Sequence, residues 1–121
     1  MRDFKELIVW QKAKELVVFV YALTKFFPKN EQFGLISQIT RATVSIVSNI
    51  AEGCARQHTK EYIQFLYLAL GSAAELETQL VVSQELGYLA EDDLAKATEL
   101  LKDVQKMLNG LIKSLRRRNA Q

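Results

Sequence analysis

A chain of 121 residues and 13.8 kDa makes one domain able to bury roughly two thirds of its unfolded surface, which excludes a multidomain enzyme. Hydrophobic residues at 49% and charged residues at 25%, with one Pro and five Gly, exclude disorder, collagen and low-complexity repeats. The net charge of +2 hides a segmentation: residues 61–103 carry nine acidic and two basic groups, whereas residues 104–121 carry five basic groups and no acid.

Apolar residues recur at spacings of three and four, and no segment alternates for long, so the chain is expected to be all-α. Asp3 and Glu6 read as a capping box, followed by a first helix over 4–26 with the stripe Leu7, Trp10, Ala13, Val17, Val20 and Leu23, stopped at Phe27-Pro28. Asn30 is the candidate cap of a second helix over 32–56, striped by Ile36, Ile39, Thr43, Ile46, Ile50 and Gly53. Thr59 is the candidate cap of a third, over 60–86, striped by Tyr62, Leu66, Ala69, Ala73, Leu76 and Leu80 and ended by Gly87. Glu91, Asp92 and Asp93 suit the positive end of a fourth helix over 92–116, with a seam of Leu94, Ala97, Leu101, Val104, Leu108, Leu111 and Leu115. Connections of three to five residues force antiparallel neighbours, so the expectation is an up-down-up-down four-helix bundle forming a single domain over 1–121.

The apolar surface exceeds what one bundle needs. The first helix carries Ile8, Val9, Val18, Phe19, Tyr21 and Ala22 off its stripe, and the third carries Tyr67, Leu70, Gly71, Ala74, Val81 and Val82. A helix apolar on two sides is buried on two sides, which points to a homo-oligomer; the alternative is a wider monomeric core. The longest apolar run, Leu16 to Leu23, is eight residues against the about 20 that span a bilayer, and the first residues mix charges of both signs. With a single Cys and no disulfide framework, a cytoplasmic protein without membrane contact is expected.

No catalytic constellation emerges, and no cofactor is expected. Cys54 and His58 stand four apart, but zinc requires four ligands and a nucleophilic Cys needs a base and an orienting group, and no second Cys or His exists. The Glu-x-x-His motif of di-iron bundles is absent, and the glycines are isolated. Two polar features stand out. Arg41, Ser45, Asn49, Glu52 and Arg56 share one face of the second helix, opposite its isoleucines, and form a structural network, with Gly53 beside them, a binding face, or an ordinary solvated face. Lys113, Arg116, Arg117 and Arg118 either complement the helix dipole or contact phosphate. No aromatic residue lies within that tail, so base stacking is not expected there.

The segments Phe27-Pro28, Glu31-Gln32-Phe33-Gly34-Leu35, Arg41-Ala42, Ser45-Ile46, Ser48-Asn49-Ile50-Ala51-Glu52-Gly53, Gly71-Ser72 and Glu75 to Leu80 resemble the bacterial four helix bundle protein family. Some members of that family are encoded in insertions within large-subunit ribosomal RNA genes, and the likeness covers about residues 4–116. The resemblance implies a cytosolic bundle assembled as a ring, a pentamer being favoured, and no enzymatic activity. It also places the chain near the accessory proteins of diversity-generating retroelements, which bind reverse transcriptase and nucleic acid. Val47 departs from the family, where proline is frequent, and restores a backbone donor.

The expected function is therefore a non-catalytic oligomeric bundle binding RNA, DNA or a nucleoprotein partner such as a reverse transcriptase. The residues expected to carry it are Arg41, Arg56, Lys60, Lys113, Arg116, Arg117 and Arg118. The alternative is a self-assembling protein-interaction scaffold without nucleic-acid contact, docking through Glu75, Glu77 and Glu85.

Overall fold

The computed structural model describes residues 3–120. Among these residues there are four α-helices and no strand: α1 (Ile8–Thr24), α2 (Leu35–Cys54), α3 (Thr59–Glu85) and α4 (Glu91–Ala120). Each helix packs on its neighbours in the chain and α1 closes on α4, while no diagonal pair comes as close. This is the expected up-down-up-down bundle, although only the connections 55–58 and 86–90 have the expected length; the first, 25–34, is longer than three to five residues and contains a 3-10 turn.

The core is the set of residues that three-and-four spacing places inward. Leu16, Val20, Ile39, Ile46, Ile50, Leu66, Leu76, Leu80, Leu101, Val104 and Leu108 are fully buried. Three hydroxyls are buried with them and are satisfied within their own helices: Thr43 Oγ1 donates to the Ile39 carbonyl at 2.7 Å, Ser83 Oγ to Gln79 at 2.7 Å and Thr24 Oγ1 to Tyr21 at 2.9 Å. α2 runs unbroken through Val47, as expected of a residue that keeps its backbone donor.

Helix ends differ from the expectation, each for a local reason. Leu7 is extended and buried, so Asp3 caps a separate 3-10 turn, Phe4–Glu6, by accepting from the Lys5 amide at 3.0 Å, and α1 begins only at Ile8. Asn30 lies inside another 3-10 turn, Lys29–Glu31, and does not cap α2. Instead Glu31 Oε1 accepts from the Leu35 amide at 3.1 Å. Thr59 is the first residue of α3 and not its cap, because the preceding His58 holds the extended conformation. α4 continues past 116 to Ala120, and Ile112 takes the core place assigned to Leu111, which is half-buried. Val9 also belongs to the core.

The end of the bundle formed by the α1–α2 and α3–α4 connections is tied by aromatic and acidic side chains. Gly87, at φ 82°, ends α3 in the left-handed conformation and turns Tyr88 onto Phe27, ring centroids 5.7 Å apart. Tyr88 Oη then donates to Glu31 Oε2 at 3.2 Å, so one carboxylate both caps α2 and holds the opposite turn. Partial burial and the neighbouring carboxylate hold the Tyr88 hydroxyl above its ordinary pKa near 10.

Much of the surplus apolar surface stays outside. Ile8, Val18 and Tyr21 on α1, Tyr67, Leu68, Val81 and Val82 on α3, and Leu86 just past its end, are exposed, whereas Phe19 and Leu70 are half-buried against the core. By length and composition alone α3 would suffice to cross a membrane. Its inner stripe fills the bundle, and the rest of its apolarity faces outward.

Candidate functional site

The expected polar stripe of α2 lies on the flank that meets α3 and not directly opposite the isoleucines, and it divides into three parts. In the middle, Asn49 Nδ2 donates to the Ser45 carbonyl at 2.8 Å and to Ser45 Oγ at 3.0 Å, and Ser45 Oγ shares a hydrogen bond of 2.8 Å with Ser72 Oγ of α3. All three side chains are half-buried, so this is a structural clasp between the two most closely packed helices. Beside it, Gly53 is buried where α2 and α3 come nearest. A Cβ there would stand 2.8 Å from Phe65 Cβ and 3.2 Å from the Tyr62 carbonyl oxygen.

Arg41 stands apart at the other end of the stripe. It is exposed, forms no ion pair among the described residues, and shares a shallow groove of about 490 Å³ with Gln38, Glu75 and Gln79. Gln79 Oε1 is buried in this region without a hydrogen-bond partner. Fifteen residues separate Arg41 from Arg56, about 22 Å along the helix, so Arg41 does not join the other candidate cations.

Those other cations do come together. α2 ends, α3 begins and α4 ends at the same end of the bundle, which gathers Arg56 from the α2–α3 turn, Lys60 from α3, and Lys113, Arg116, Arg117 and Arg118 from α4. All six are exposed. Arg56 is held in place: its guanidinium pairs with Glu52 Oε1 at 3.0 Å and Glu61 Oε2 at 3.8 Å, and lies over the Phe65 ring at 4.7 Å. Arg116 hydrogen-bonds the Tyr67 hydroxyl and lies over that ring at 5.3 Å. Aromatic partners absent from the basic tail itself are thus supplied by α3. In sequence, Tyr67 is separated from Arg116 by about fifty residues, and only the antiparallel pairing of α3 with α4 signals their approach, whereas Phe65 lies close in sequence to its partner Arg56.

Arg56 and Arg118 also border a cavity of about 450 Å³ whose wall includes Cys54, His58, Tyr62, Leu111 and Leu115. Cys54 is buried and His58 exposed, so the two do not form a buried thiol–imidazole site. No group of three or more His, Cys, Asp or Glu side chains able to hold a metal occurs among the described residues. The arrangement offers cations, hydrogen-bond donors and aromatic faces on one end of a rigid scaffold, which is a means of binding and orienting anions. Its opposite end carries exposed Phe26, Phe33 and Leu86 beside Glu85, Glu91 and Asp92.

A family model described as 23S rRNA-intervening sequence protein matches residues 5–110. The fold is similar to the crystal structure, at 1.70 Å, of a protein of unknown function from the S23 ribosomal protein family of Bacteroides thetaiotaomicron VPI-5482. The TM-score is 0.81 at 28% identity, over 88% of this chain and 99% of that one. No curated protein matches the chain.

Proposed function

The chain belongs to the 23S rRNA-intervening sequence protein family, and from that membership we propose that it is a non-catalytic, cytoplasmic, homo-oligomeric bundle that binds nucleic acid, alone or within a nucleoprotein, through its basic end. The observation that carries this reading is the gathering of Arg56, Lys60, Lys113, Arg116, Arg117 and Arg118, all exposed, at one end of the bundle from α3, α4 and the α2–α3 turn. Arg116 is braced on Tyr67 and Arg56 on Phe65, so two of the cations present fixed donors with an aromatic face beneath. A single copy has a net charge of only +2, and phosphate affinity grows with the number of contacts made at once. Assembly of several copies supplies that number, with a pentamer favoured.

A second observation supports assembly. On the outer face of α3, Leu68, Gly71, Glu75 and Val82 follow a three-and-four spacing on one side of the helix. Gly71 is exposed with open space around it, so no neighbour within the chain requires a glycine there. A mid-helix glycine lowers helix stability by about 1 kcal/mol against alanine, and close approach of another subunit's helix is what such a position accommodates. Exposed Arg41 and Glu75, which share a groove with Gln79, border the same face and offer hydrogen bonds for a second copy to complete. A protein partner such as a reverse transcriptase would dock on surface that this assembly leaves open.

The test is fluorescence anisotropy with labelled RNA and DNA over a salt series. Binding should weaken linearly in log salt, with a slope that shrinks on Arg116→Ala, Arg117→Ala, Arg118→Ala in combination. Absence of binding near physiological salt refutes the nucleic-acid reading and leaves the protein-scaffold alternative.

A further inference from the structure

The cavity at the basic end has features that phosphate contact alone does not use. Its volume of about 450 Å³ falls within the roughly 300–1,000 Å³ of small-molecule sites. Three helices build it: Cys54 at the end of α2, Tyr62 in the first turn of α3, and Leu111 and Leu115 on the last turns of α4. These four give an apolar floor with one aromatic ring. Two guanidiniums border the cavity: Arg118, exposed and in no ion pair among the described residues, and Arg56, whose charge is already paired by Glu52 and Glu61 and which lies over Phe65. A flat apolar body against these side chains would bring an attached anion to the unpaired Arg118 guanidinium, a donor well shaped for phosphate, with Arg56 lining the same cavity.

We propose that this cavity takes one nucleotide, with its base against Tyr62, Leu111 and Leu115 and its phosphate at Arg118. The site deepens the nucleic-acid reading of the basic end, on which it rests. The surface cations hold the backbone of a strand, and the cavity accepts its terminal or unstacked residue. Recognition of single-stranded nucleic acid commonly combines these two elements, a basic track and a stacking pocket for a splayed base.

Cys54 is the single thiol in the chain and, though buried, lines the cavity, so its alkylation rate responds to a ligand seated there. The experiment measures the rate of Cys54 alkylation by iodoacetamide in the full chain, with adenosine 5′-monophosphate, adenosine, ribose 5-phosphate, inorganic phosphate or a 5′-phosphorylated RNA tetramer. The expected result is that the monophosphate and the tetramer each slow alkylation several-fold and saturably, while the three fragments protect at least about tenfold less effectively at equal concentration. Arg118→Ala, an exposed change near the helix end, should raise the concentration needed for protection by about tenfold without altering the circular dichroism spectrum. The proposal is overturned if saturating monophosphate leaves the alkylation rate unchanged, or if inorganic phosphate protects as well as the nucleotide. If labelled RNA binds with its salt slope while neither nucleotide probe protects Cys54, the cavity proposal fails and the basic-end reading stands. If the monophosphate protects while no RNA or DNA strand binds, the basic-end reading fails and the cavity is a site for free nucleotide.

Discussion

Gly53→Ala isolates the contact that sets the spacing of α2 and α3. In an exposed helix interior this change is favourable by about 0.5–1 kcal/mol, because alanine restricts the unfolded chain and glycine does not. At position 53 the new Cβ would meet Phe65 Cβ at 2.8 Å, Tyr62 Cδ1 at 3.0 Å and the Tyr62 carbonyl oxygen at 3.2 Å. Two of those atoms are fixed to the α3 backbone, so the helices must separate by several tenths of an ångström, and the Ser45–Ser72 bond shares that interface. Overpacking of this kind costs about 1–3 kcal/mol, which outweighs the propensity gain and leaves about 1–2 kcal/mol of net destabilisation. For a domain of this size that is a fall in Tm of roughly 4–10 °C. Gly110→Ala is the control, since nothing lies within 4 Å of its Cβ position, and it should raise stability by about 0.5–1 kcal/mol. Both variants should be unfolded in urea at one fixed protein concentration, because association shifts apparent stability. A Gly53→Ala protein as stable as the parent would refute the argument from close approach.

Other outcomes follow from the same coordinates. Leu68→Glu and Val82→Glu, at exposed positions of α3, should leave helicity unchanged and lower the assembly mass measured by light scattering. Ser45→Ala and Ser72→Ala should each destabilise by about 0.5–1.5 kcal/mol, and their double-mutant cycle should show coupling that Ser45→Ala with Ser48→Ala does not. Folding holds the proton of Tyr88 more tightly than the unfolded chain does, owing to burial first and Glu31 second. The stability this lends is complete below about pH 10 and is lost as pH rises through the folded-state value. Tyr88→Phe should therefore flatten the alkaline limb of a stability–pH curve.

The number and direction of the helices, and most of the core, were legible because burial imposes a period of 3.6 that the apolar residues follow. The same criterion could not separate Leu111 from Ile112, since both continue a three-and-four seam from Leu108 to Leu115 and only the rotation of α4 selects between them. It placed Leu7 correctly in the core but missed the break there, where a buried extended residue interrupts what reads as one helix, because the stripe continues across it. The start of α2 differs from the expectation because its cap is a local 3-10 turn rather than a single residue: Glu31 reaches Leu35 four residues on, a role that Asn30 resembles by composition alone.

At the site, composition identified the cations but not their grouping. Arg56 and Arg118 meet because α4 runs back to the α2–α3 turn, whereas Arg41, on the same stripe as Arg56, is carried away from them by helical rise. The glycine of the Asn-Ile-Ala-Glu-Gly segment marks a backbone approach that spacing cannot reveal, since Gly53 and Gly71 look alike in sequence and differ only in what surrounds them.

Light scattering coupled to size-exclusion chromatography, run on the protein alone and after mixing with single-stranded RNA, tests the central claim most directly. A particle several times the 13.8 kDa chain mass, five times in the favoured assembly, that becomes heavier by the mass of bound RNA is the predicted result. A species of one chain mass at micromolar concentration, eluting apart from the RNA, would contradict it.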